Sequence, residues 1–100
     1  MLRLLILFLL LIANGLWAQS KVIEISRENQ PNEVSISLDR NDPYRILAGA
    51  NINSLYRSTD GGVTWSRSEQ VSKFGVWGDP VIIQDTSGSF YHFHLSRFEG

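Results

Sequence analysis

At 100 residues with a formal net charge of −1 and no cysteine, the chain excludes a disulfide scaffold. Its Arg and Lys residues are scattered singly among acids, which excludes the basic stripe of a nucleic-acid binder. A core built from so short a chain is marginal, so the pattern along it decides whether it reads as one small domain or as part of a larger architecture.

Residues 1–18 open with a single charge, Arg3, followed by the apolar run LLILFLLLIA and then small residues. That is the layout of an export signal, with an apolar stretch shorter than the roughly 20 residues of a spanning helix. Cleavage is expected after Ala18, with Gly15 and Gln19 as alternative sites. Loss of Arg3 leaves eight basic residues against ten acidic. The processed chain is expected to be secreted, periplasmic or extracellular and without a membrane segment.

Residues 19–32 are a lead-in, with a short alternating strand at Val22, Ile23 and Ile25 that runs into a polar, proline-containing loop. From Glu33 the period of two is clear: Val34, Ile36 and Leu38 alternate with Ser35, Ser37 and Asp39, which predicts one face of a half-buried strand. DRNDP, residues 39–43, supplies a turn, because Asp and Asn bond nearby backbone and Pro43 cannot donate to a ladder. YRILAGA, residues 44–50, is a second strand in which Ala48, Gly49 and Ala50 suggest close backbone approach. SLYRS (54–58) and VTWSRS (63–68) are the third and fourth strands, joined by an Asp-Gly-Gly turn. The pattern then restarts: a Gly- and aromatic-rich connection over 69–80, a strand at Val81 to Asp85, a TSG turn, and a return strand from Ser89 to Phe98. With no sustained helical period, the region after the signal reads as all-β. A four-stranded meander over 33–68, followed over 69–100 by a connection and two strands of a second unit, is the pattern of β-propeller blades, about one and a half of them. A closed ring needs about four to eight blades, so the chain reads as part of a longer protein.

Ser58, Asp60, Gly62, Thr64 and Trp65 fill every position of Ser-x-Asp-x-Gly-x-Thr-Trp. The stretch resembles the Asp-box, the repeat of bacterial neuraminidases and other sialidase-like β-propellers. In that family the motif is the hairpin between the third and fourth strands of a blade, away from the usual ligand face. Residues 33–51 are similar to the stretch that precedes it. The residue types suit a staple. Asp60 accepts backbone N–H bonds across the turn, Gly61 and Gly62 tolerate positive φ, Ser58 and Thr64 cap flanking backbone, and Trp65 buries a ring between sheets while its indole N–H keeps a partner.

The resemblance implies an exo-sialidase-type glycoside hydrolase acting on extracellular glycans or glycoproteins, with no cofactor; a noncatalytic propeller that binds glycan or protein is the alternative. Family sialidases use an arginine triad for the substrate carboxylate, a tyrosine nucleophile assisted by glutamate, and an aspartate as acid and base, an exception to the usual carboxylate pair. Arg45, in YRIL, keeps the Arg-Ile pair of the family's first arginine motif but lacks its proline, and a solvent-facing strand residue is the competing reading. In VWGDP, residues 76–80, Asp79 is a candidate catalytic acid and Trp77 a candidate sugar platform; the competing reading is a strand-entry turn in which Asp79 caps backbone. His92 and His94 lie two apart on one face of a strand, yet no third ligand is evident, so no metal site is expected. Tyr91, Phe93 and Leu95 are expected to pack on the opposite face.

Overall fold

The computed structural model describes residues 1–4, 6 and 20–96. Most of the expected export signal and its cleavage sites, and the expected last residues of the return strand, lie outside the described residues. The fold is all-β. Strands β1 (Ser35–Leu38), β2 (Ile46–Ala50), β3 (Ser54–Ser58) and β4 (Ser66–Glu69) form an antiparallel sheet in the order β1-β2-β3-β4, and β5 (Gly78–Gln84) pairs antiparallel with β6 (Phe90–Leu95) in a second sheet.

Each strand boundary follows from local chemistry. β2 starts two residues later than its apolar pattern, because the Arg45 N–H bonds the Asp42 carbonyl at 3.0 Å and keeps Tyr44 and Arg45 inside the preceding turn. β4 starts at Ser66 rather than Val63, since the N–H groups of Val63 and Thr64 are taken by the Asp60 carboxylate and are lost to the ladder. Val22, Ile23 and Ile25 form no strand: the segment finds no ladder partner, and Ile25 packs instead on the cluster of Ala48, Ala50 and Tyr56.

The two sheets meet face to face. Pairing of Ser35 with Gly49, and of Gly49 with Leu55, puts these residues on one face of the first sheet. A Cβ built on Gly49 would stand 3.1 Å from Pro80 Cβ and 3.3 Å from Ile82 Cδ1, so the missing side chain is what lets β5 approach β2. The Ile82 N–H donates to Ser35 Oγ at 2.9 Å across the same gap. The serine side of β1 therefore faces the second sheet, and the alternation read as an apolar inner face is turned the other way. Ile36 and Leu38 share a face with buried Ala48 and Ile46, yet remain about half exposed, at 54% and 52%.

The same inversion occurs in β6. Tyr91, Phe93 and Leu95 were expected to pack, but they point outward with Val81 and Ile83, while Ile82 on the inner side is 4% exposed. Both outer faces of the two-sheet stack thus carry apolar side chains.

Because Gly49 sits where the sheets touch, Gly49→Leu should force them apart and destabilise the fold by about 1–3 kcal/mol, the usual range for overpacking. Urea unfolding of the wild type and variant checks this, with Leu47→Ala as a control on the same strand.

Candidate functional site

The hairpin between β3 and β4 is closed by side chains. Asp60 Oδ1 accepts the N–H groups of Val63 (3.1 Å) and Thr64 (2.9 Å) and the Ser58 hydroxyl (2.8 Å); Oδ2 accepts the Thr64 hydroxyl at 2.5 Å. Ser58 Oγ in turn accepts the Gly62 N–H at 2.8 Å. Gly61 and Gly62 have φ of 75° and 88°, a conformation that an L side chain adopts at a cost. The Trp65 indole N–H donates to the Gly62 carbonyl at 2.9 Å, and its ring packs on the Ala48, Ala50 and Tyr56 cluster. That cluster is on the face of the first sheet turned away from β5. The Thr64 hydroxyl, the Thr64 N–H and the Ser58 hydroxyl hold the Asp60 carboxyl down to about 2. An acid so readily ionised is a poor proton donor, and Asp60 acts here as an anchor for the turn.

A second turn uses the same device. Asp85 Oδ1 accepts the Ser87 hydroxyl (2.6 Å) and the N–H groups of Ser87 and Ser89, and Oδ2 accepts the Tyr91 hydroxyl at 2.8 Å. With the Ser87 hydroxyl as the largest cause, its carboxyl also falls to about 2. The TSG tripeptide signalled a turn but not this anchor; an Asp two and four residues ahead of serines was the available sign.

Arg45 is committed to the junction between the sheets. Its Nη1 meets Asp39 Oδ2 at 2.5 Å, and its guanidinium lies 5.7 Å from the centre of the Phe90 ring. Asp39 is 2% exposed and also accepts the N–H groups of Asn41 and Asp42, which, led by the Asn41 bond, lower its carboxyl below the ordinary range. The neighbouring Asn41 Nδ2 donates to the Thr86 carbonyl at 3.1 Å, so the turn before β2 is tied to the turn before β6.

Asp79 and Trp77 lie at the other end of the sheets. β3 runs from Ser54 toward the Asp60 hairpin, so the β2–β3 turn over Asn51, Ile52 and Asn53 is at the far end, with the start of β1 beside it. Asn51 ties this end together: its side-chain amide donates to Glu33, and its Oδ1 accepts the Asp79 N–H at 2.7 Å. Between Gly78 and Val81, β5 carries one residue more than the facing stretch of β6 from Leu95 to Phe93, a bulge that contains Asp79 and Pro80. Asp79 has a φ of 48° and is exposed, and Trp77 is 55% exposed. Bulges and left-handed non-glycine residues often re-aim side chains at functional sites. The strand-entry reading has Asp79 capping backbone and Pro80 first in the strand; instead it is the Asp79 N–H that is bonded, to Asn51, and Pro80 is the third residue of β5, in the bulge, where its missing N–H costs no ladder bond.

His92 and His94 stack with ring centroids 5.4 Å apart on the side of β6 that faces inward. Burial, with His94 adding to it, lowers the His92 imidazole below its ordinary value. Among the described residues no group of three His, Cys, Asp or Glu side chains is placed to hold a metal.

No protein-family profile, curated protein or solved structure matches the chain.

Asp60→Ala should lower Tm by about 5 °C or more, through loss of the turn's acceptors, and change Trp65 fluorescence. Because the folded Asp60 and Asp85 carboxyls lie below their ordinary 3.8, their stabilisation is complete above that pH and is lost as pH falls toward about 2. Acid unfolding followed by circular dichroism should therefore steepen between about pH 4 and 2 in the wild type, and less so in Asp60→Ala.

Proposed function

We propose that this chain belongs to the sialidase-like, Asp-box β-propellers, contributing one four-stranded blade and half of a second, and that it is exported and acts on extracellular glycans. The observation that carries this reading is the Ser58 to Trp65 hairpin, in which all five specified residues of the pattern, Ser58, Asp60, Gly62, Thr64 and Trp65, take part in one closed set of bonds. The packing of β5 on β1 and β2, and the apolar outer faces of both sheets, fit neighbouring blades in a ring.

The activity favoured by this reading is exo-sialidase-type glycoside hydrolysis. Its ligand side is the end opposite the Asp60 hairpin, where the β5 bulge lifts Asp79 into solvent close to Trp77 and Asn51. There a carboxyl group can serve as acid and base and an indole can support a sugar ring. The tyrosine nucleophile and substrate-binding arginines of that chemistry would come from further blades. A second reading, a propeller that binds glycan without cutting it, is favoured by Arg45, whose guanidinium is bonded to Asp39 and lies over Phe90.

The full secreted protein is expected to release the fluorophore from an aryl sialoside, and Asp79→Asn should lower kcat by roughly 100-fold or more with little change in Tm. Glycan binding without turnover would replace the hydrolase reading with the binding one. Absence of both turnover and glycan binding would overturn the proposal.

A further inference from the structure

Beside Asn51 the chain forms a recess of about 360 Å³ between the segment 29–32 and the β2–β3 turn. Asn29, Gln30, Asn32, Asn51 and Asn53, all amide-bearing residues, line it together with Ile52 and Ser54. No Asp, Glu, Lys or Arg lines it. The size falls within the range of small-ligand sites, roughly 300–1,000 Å³. The Asn51 amide is bonded to Glu33 and Asp79, but each of the other four can offer both a donor and an acceptor, the combination that matches vicinal hydroxyls or an N-acetyl group.

The recess is held in shape by the fold. The Asn51 N–H donates to the Asn32 carbonyl at 3.0 Å, and the Gln70 N–H donates to the Asn53 carbonyl at 2.7 Å, so both walls are fixed to strand ends. Asn29 and Gln30 take φ of 60° and 49°, a left-handed pair closed by the Gln30 N–H bonding the Arg27 carbonyl. Strained backbone of this kind persists where surrounding contacts enforce it, and it clusters at ligand sites. Ser54 is 2% exposed, and its Oγ accepts a bond from Arg67 at 3.3 Å, which fixes the recess at the start of β3.

We propose that this recess binds a neutral saccharide unit through its amides, as a subsite separate from Asp79. The inference rests on the glycan-directed reading and adds to it the chemical class of the sugar: an uncharged ring rather than a carboxylate-bearing one, because the cation next to the recess, Arg67 at Ser54, is already paired with Glu28 and Glu69. Asn51 connects the two regions, since it lines the recess and accepts the Asp79 N–H. One glycan chain could therefore reach from the recess toward the bulge.

Lactose, N-acetyllactosamine and, for comparison, 3′-sialyllactose should be titrated into the full secreted protein, with calorimetry for affinity and amide chemical shifts for location. Saturable binding of lactose or N-acetyllactosamine, with shifts centred on 29–32 and 51–54, is the expected result. The double variant Asn32→Ala/Asn53→Ala should weaken that binding roughly tenfold or more while Tm is retained. Shifts in the wild type locate the site even if the double variant folds poorly. Neutral-sugar binding with shifts elsewhere would overturn the recess as the site. Sialyllactose binding or sialoside turnover without any neutral-sugar binding would overturn the recess and leave the proposed function standing. Absence of binding and turnover with every sugar would overturn both.

Discussion

The carboxylate of Asp60 is the constraint on which the rest of the first sheet depends. A tight hairpin leaves backbone N–H groups pointing into its own loop, where no strand can pair them. Asp60 collects two of them and two hydroxyls as well. Once the loop is closed, the Gly62 carbonyl is aimed at the Trp65 indole, and the ring is delivered to Ala48, Ala50 and Tyr56. The register of β3 on β4 follows from where the loop lets pairing resume, at Arg57 opposite Ser66. A local electrostatic arrangement thus decides strand register and supplies a large part of a small core.

The opposite end of the sheets is organised on a different principle. There the Asn51 amide, rather than a carboxylate, joins three segments that are distant in sequence: Glu33 ahead of β1, the β2–β3 turn, and Asp79 in β5. Gly78, with a φ of 113°, must be glycine, since a Cβ there would overlap the Asn51 side chain. Staple and candidate ligand groups are therefore separated by the length of the strands. That separation allows the Asp60 hairpin to be optimised for stability while Asp79, Trp77 and the amide recess remain open to solvent. Under the propeller reading, the same division places the glycan-directed chemistry at one mouth of the ring.

Much of the fold was legible because its signals are local. Period-two alternation and the turn residues Asn-Asp-Pro, Asp-Gly-Gly and Thr-Ser-Gly located the six described strands to within a few residues, although the strand expected at Val22 to Ile25 did not form. Which face of a strand is covered was not legible, because alternation reports that two faces differ and not what lies against them. Ser35 and Ser37 faced the second sheet while Ile36 and Leu38 did not, and Tyr91, Phe93 and Leu95 turned outward for the same reason. The Asp60 bond set could be read from residue types at fixed spacing. The Asn51 junction could not, since it joins positions 18 and 28 residues away through one side chain. Arg45 shows a further limit: its sequence context suggested a carboxylate ligand, and the partner it found was Asp39, six residues back in its own turn.

The most direct test of this account is a pH titration of the Asp60 carboxyl carbon by NMR in the folded protein. An anchor that accepts four bonds from Ser58, Val63 and Thr64 should titrate near pH 2, with the Gly62 and Thr64 amide signals moving at the same midpoint. A midpoint at or above the ordinary 3.8, with those amides unaffected, would mean that the carboxylate does not hold the hairpin and would contradict the account at its base.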